Sequence, residues 1–131
     1  MTASASAIEI ATWAAQAADS KKADNIRIVD VSERLAITDC FVIASADNER
    51  QVNAIVDGVE EALLTKKIKP VRREGEKEGR WVLLDYVDVI VHVQHADERE
   101  FYGLDSLWKD CPEISWTSVN EDNTESQPVE G

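Results

Sequence analysis

The stretch Trp81-Val82-Leu83-Leu84-Asp85-Tyr86-Val87-Asp88-Val89-Ile90-Val91-His92-Val93-Gln94 decides the fold. Both of its halves are rich in β-branched and aromatic side chains, the composition of strands. Arg80 to Leu84 reads as one strand and Asp88 to Gln94 as the next. The segment between them is too short for a crossover, so the two pair antiparallel and a wholly parallel sheet is not expected. The run also carries Asp85, Asp88 and His92 where a simple core needs no polar group.

Working upstream, Val52, Ile55, Val56, Val59, Ala62 and Leu63 follow the spacing of one buried helical face, with Asp47 or Asn48 as the cap. Before it, Asn25 to Val31 alternates as a strand, and Cys40 to Ala44 reads as a second, fully buried one. The chain opens with a helix over 7–22, where Ser6 and Glu9 have capping-box spacing and alanines favour the helix. Lys66, Lys67, Lys69, Arg72 and Arg73 form a basic cluster. It reads as solvating the helix end and the following strand rather than meeting phosphate. A polar turn, Glu74 to Gly79, follows.

Downstream, a helix is expected from Asp97, with Glu100 completing a capping box. Phe101, Leu104, Leu107 and Trp108 would share its inner face, and Cys111-Pro112 would end it. Beyond residue 114 the composition loses apolar periodicity, so residues 1–114 read as one domain and 115–131 as an acidic disordered tail. The element order implies an α+β domain with a mixed sheet of about five strands flanked by helices.

Charge narrows the partners. The net charge is −12, and Glu121, Asp122, Glu125 and Glu130 account for four of those units, leaving −8 on the body. Such a surface repels phosphate backbones, which favours basic protein partners over direct nucleic-acid contact. No apolar run approaches the roughly 20 residues of a membrane span, and no signal peptide is visible. A soluble cytoplasmic protein with reduced thiols at Cys40 and Cys111 is expected.

Asp85 and Asp88 are the first suspects for acid–base or metal chemistry. The alternative is that they shape the turn through hydrogen bonds to backbone, and it is preferred because no further ligand or pocket is in evidence. His92 and His95 stand three apart, which on a strand sends them to opposite faces, so no metal site is expected. The five glycines have neither Walker nor Rossmann spacing, and no cofactor is implied. Cys40 reads as a small buried hydrophobe rather than a nucleophile. Trp81, Tyr86, Phe101, Tyr102 and Trp108 crowd into one window of the chain. Exposed aromatics ringed by carboxylates have the composition of a protein-binding hot spot, although Trp81 and Trp108 would serve equally as core.

Several pieces together resemble the ribosomal silencing factor (Iojap-like) family. They are Thr38-Asp39-Cys40-Phe41-Val42-Ile43, Trp81 to Asp85, Asp88-Val89-Ile90-Val91-His92-Val93, and Phe101-Tyr102-Gly103-Leu104 to Trp108. The resemblance implies a fold similar to nucleotidyltransferases without their catalytic motif. It implies a translational repressor, not an enzyme, that docks on the large ribosomal subunit through ribosomal protein uL14. Docking would block small-subunit joining and damp protein synthesis in starvation or stationary phase. It also implies a homodimer when free. Joined to the charge argument, it places Trp81, Asp85, Tyr86, Asp88, Tyr102 and Trp108 at the centre of the partner-binding surface. The competing reading is a nucleotide-binding enzyme using Asp85 and Asp88. One departure stands out: the family commonly has glycine where this chain has Val87, and a positive φ there would strain valine.

Overall fold

In the structure, a computed structural model that describes residues 2–75 and 80–118, the two strands around Tyr86 pair as expected. β4 (Trp81–Asp85) runs antiparallel to β5 (Val89–His95), with Leu83 opposite His92. On its other side β5 lies parallel to β2 (Cys40–Ala46), pairing Ile43 with His92. β1 (Asp24–Asp30) and the two-residue β6 (Glu113–Ile114) extend the sheet beyond β2, and β3 (Arg72–Glu74) forms the far edge beside β4. The order is β3-β4-β5-β2-β1-β6. The sheet is thus mixed, with six strands rather than about five, because β6 is too short to show a period of two.

Helix α1 (Ala5–Ser20) and helix α2 (Glu49–Leu64) cover one face. Ala7, Ala11, Ala14, Ala15 and Ala18 are buried, and their small side chains let α1 sit close to the sheet. α2 contributes Val52, Ile55, Val56, Val59 and Leu63 against Val42, Val82, Leu84, Val91 and Val93. A smaller core on the opposite face joins Val29, Val31, Phe41, Ile43 and Leu104. Above it lie two short helices, α3 (Ala96–Tyr102) and α4 (Leu104–Leu107).

Of the three helix starts, one agrees with expectation and two differ. Asn48 caps α2 by accepting from the Gln51 amide at 2.8 Å, one of the two residues foreseen. α1, however, starts at Ala5 and is capped by Ser4, whose Oγ accepts from the Ala7 amide, not by Ser6 with Glu9. Tertiary anchors move the start: the Ala3 and Ser4 amides donate to the carboxylates of Asp30 and Asp39. At α3 the cap is His95, whose Nδ1 accepts from the Asp97 amide at 3.1 Å, instead of Asp97 with Glu100. Gly103, at φ 61°, then splits the expected single helix in two. Only Leu104 of the proposed inner face is buried to the core; Trp108 is half-buried, while Phe101 and Leu107 are 80% and 60% exposed. The inner place is taken by Arg99, buried and bonded to the Asp105 carboxylate and the Ser45 hydroxyl.

Part of the expected turn, residues 76–79, and most of the expected tail, residues 119–131, lie outside the described residues. Ahead of them Trp116 packs on the larger core, and the Thr117 carbonyl accepts from Gln16 Nε2. Among the described residues no helix is long and apolar enough to cross a membrane.

The β4–β5 connection holds Val87 in the left-handed region, where valine is strained. Its φ is 74°, with the Asp88 amide bonded to the Tyr86 carbonyl at 2.9 Å across it. A β-branched residue in this region stores about 1–3 kcal/mol of strain. Val87→Gly removes that strain and adds about 0.5–1 kcal/mol of chain entropy in the unfolded state. The expected net result is stabilisation by about 0.5–1.5 kcal/mol in urea denaturation. A loss of about 1 kcal/mol, usual for glycine on an ordinary surface, would mean that Val87 is unstrained in solution.

Candidate partner-binding face

Alternation along β4 sends Trp81, Leu83 and Asp85 to the side away from α1 and α2, together with Ile90 and His92 of β5. The short helices α3 and α4 roof this side chiefly over β5, β2 and β1. Along β4 the sheet is left open, and Trp81, Leu83 and Ile90 are half-buried there. Tyr102, 53% exposed at the end of α3, sets its ring 4.9 Å from that of Trp81, and Phe101 stands edge-on to Tyr102 at 5.0 Å. Inward, the rings continue from Trp81 through His92 and Phe41 to Trp108. The face is therefore an apolar and aromatic strip backed by a packed ring series.

Not all six residues expected at the centre meet there. Trp81, Asp85 and Tyr102 share the face. Asp85 is partly sheltered: one oxygen bonds Arg72 at 3.1 Å and the other accepts from the Val87 amide at 2.8 Å. That is the turn-shaping role, and it commits both oxygens. Asp88 is exposed at the tip of the connection, where its carbonyl receives the Asp39 and Cys40 amides. Tyr86 lies on the opposite face, buried in the core shared with α2, and burial raises its hydroxyl pKa. Strand alternation from Trp81 itself sends Tyr86 to that side, with Val82 and Leu84. Trp108 is half-buried against Phe41 with the Arg34 guanidinium over its ring at 5.4 Å, so it supports the face from below. Leu83, Ile90 and Phe101 were not among the six residues expected at the centre of this surface. The period of two from Trp81 points to Leu83, whereas Phe101 and Leu107 turn outward because Gly103 breaks the helix.

The other candidates resolve into structural roles. His92 is buried, with Phe41 at 4.7 Å, and accepts from Trp81 Nε1 at 3.2 Å through Nδ1. Burial lowers its pKa to about 4, so the imidazole is neutral at physiological pH. His95 caps α3, and the described residues hold no cluster of three or more His, Cys, Asp or Glu able to bind a metal. Burial, reinforced by Asp30, Asp39 and Asp88, pushes the Cys40 thiol up to about 12, which leaves it inert as a nucleophile. Within the basic cluster Arg72 pairs with Asp85 and Glu74, and Arg73 with Asp57 and Glu60. An open groove of about 650 Å³ lies between α2 and β3, lined by Leu64, Ile68, Val71 and the charged residues around them. Asp85 and Asp88 do not line it.

Residues 4–130 match the family described as "Ribosomal silencing factor during starvation". The chain belongs to the ribosomal silencing factor family. It is 37% identical over 111 residues to the ribosomal silencing factor of Halalkalibacterium halodurans, covering 85% of this chain and 95% of that protein. With the ribosomal silencing factor of Bacillus subtilis it shares 39% over 99 residues, 76% of this chain and 84% of that protein. The crystal structure of a Chromobacterium violaceum protein superposes with a TM-score of 0.76 at 32% identity, covering 78% of this chain and 85% of that one. A Bacillus halodurans structure gives 0.73 at 35% identity, covering 82% of this chain and 98% of that one. The mixed sheet and its flanking helices are thus those of solved members of the silencing-factor fold.

The neutral, buried imidazole makes stability depend on pH. In the unfolded chain His92 protonates near 6.5, but in the folded chain only near 4. The unfolded state therefore binds more protons between those values. Stability is whole above about pH 6.5 and falls as pH drops towards 4, by up to about 3 kcal/mol. Asp105, held low chiefly by its hydrogen bonds from Arg99 and then by Arg27, adds a further loss at more acid pH. Urea denaturation between pH 7 and 4.5 should show the His92 decline, and His92→Leu should flatten it. An equal decline in that variant would assign the effect to carboxylates instead.

Proposed function

We propose that this chain is a cytoplasmic translational repressor, homodimeric when free, that docks on the large ribosomal subunit through uL14. Bound there, its bulk blocks small-subunit joining and damps protein synthesis in starvation or stationary phase. Membership of the silencing-factor family supports the role. The observation that carries the docking surface is the strip of Trp81, Tyr102 and Phe101 along the open side of the sheet, continued by Leu83 and Ile90.

The physics suits a protein partner. A body of charge −8 gains nothing from RNA phosphates and is attracted to a basic ribosomal protein standing among them. An aromatic strip flanked by Asp85 and Asp88 offers such a partner apolar contact with an acidic rim. An interface of roughly 800 Å² per partner is enough to hold a domain of this size in place. Blocking is steric, so neither cofactor, metal nor catalysis enters. Trp81 and Tyr102 form the centre, Asp85 and Asp88 the acidic side, and Trp108 the support beneath.

Co-sedimentation with isolated large subunits, followed by addition of small subunits, tests this directly. The expected result is retention on the large subunit with fewer joined ribosomes. Trp81→Ala and Tyr102→Ala should each cost about 2–4 kcal/mol, or roughly 30- to 1,000-fold in affinity. Tyr86→Phe, on the far side of the sheet, should bind like the unaltered protein. Absence of binding at low and moderate salt would sink the proposal. A thermal shift with ATP or CTP and Mg²⁺ would then redirect attention to nucleotide chemistry.

A further inference from the structure

We propose that His92 is the residue that positions Trp81 for docking, a role that rests on the docking face described above. Trp81 stands half-buried on an uncovered sheet surface, where an indole ring is otherwise free to change rotamer. Freezing such a side chain on association costs affinity, so an anchor held in advance binds better. Two contacts hold this one. The Tyr102 ring lies 4.9 Å away, and the indole N–H donates to His92 Nδ1 at 3.2 Å.

The imidazole is itself well placed to act as a fixed post. It lies diagonally across the β4–β5 ladder from Trp81, since its direct partner is Leu83. Ile43 flanks it on β2, and Phe41 meets its ring edge-on at 4.7 Å and 74°. Because Nδ1 accepts, the ring proton is on Nε2, and that atom is buried without a hydrogen-bond partner among the described residues. A buried donor without a partner costs stability. Leucine would fill this strand position without that cost, so a histidine here is explained by what its other nitrogen does. It gives the indole a directional bond from beneath the surface, and the partner meets a ring already set in place.

The test uses the full chain and purified large ribosomal subunits. His92→Leu should weaken binding about fivefold to tenfold, the worth of one neutral hydrogen bond. His92→Asn, whose side-chain oxygen falls near the place of Nδ1, should recover most of that loss. In a Trp81→Ala background, His92→Leu should cost nothing further, because it acts through the indole. Among the four tryptophan indole protons in a ¹⁵N–¹H spectrum, that of Trp81 should be protected from exchange and lose protection in His92→Leu.

Four outcomes overturn the proposal. If Trp81→Ala weakens binding but His92→Leu does not, the face stands and His92 is only filler. Equal losses from His92→Leu with and without Trp81 would mean that it acts through general stability. A Trp81 indole proton exchanging freely in the unaltered protein would show that the bond is absent, whatever the variants do. If neither Trp81→Ala nor His92→Leu weakens binding, the docking face is misplaced and the positioning role falls with it.

Discussion

The structure depends on one strand being buried on both faces. All seven residues of β2 are buried, from Cys40 to Ala46. Such a strand needs cover above and below. Its α1–α2 side is covered by two long helices whose apolar faces are alanine in one and branched aliphatic in the other. Its second side needs cover only where β2 and its neighbours pass, and the eleven residues of α3 and α4 supply it. The uneven roof that results leaves β4 open on that side. The proposed docking face is a consequence of how far the roof reaches.

That roof is unusual in which groups it turns inward. Arg99 faces the sheet while Phe101, Tyr102 and Leu107 face out. A buried guanidinium is tolerable only when its donors are satisfied, and here Asp105 takes two of them while Ser45 takes a third. Asp105 also receives Arg27 of β1, so one carboxylate ties the strand to both short helices. Ion networks of this kind contribute register more than stability. The register is what sets Tyr102 beside Trp81. Arg80 does similar service at the other end of α3, bonding Glu98 while reaching Glu49 at the start of α2.

Elements with a strong period were legible from the residues alone: α2, the buried β2, and the antiparallel pair β4–β5. What the chain concealed arises from distant contacts. Ser6 with Glu9 has the right spacing for a cap, yet Asp30 and Asp39 hold the preceding amides and move the helix start to Ala5. β6 is two residues long and exists only because β1 offers an edge. Period reasoning turned Phe101 inward by assuming a continuous helix, which Gly103 interrupts. At the candidate site Trp81 and Tyr102 do share a face, whereas Tyr86 was grouped with them although the period of two from Trp81 assigns it to the helix-covered side. The Val87 question was posed by resemblance and settled by a φ of 74°.

Charge and aromaticity divide the work at the surface. Arg27, Arg72, Arg73, Arg80 and Arg99 all engage carboxylates of the same chain. Much of the strongest cationic character is thus already committed to holding the fold, and the excess acid faces solvent. Such a field acts over about a Debye length, attracting a basic protein and turning away RNA, before any contact is made. It adds little to residence once the surfaces meet, because rim charges mostly alter association rates. Residence falls to the rings and aliphatics of the open strip, where desolvated aromatic anchors carry most of the binding energy. A factor that blocks by bulk, as proposed for this chain, would have to stay bound long enough to exclude the competing subunit, yet leave when growth resumes. A small aromatic centre within a long-range acidic field meets both requirements: rapid, selective arrival, and a dwell time set by a few side chains.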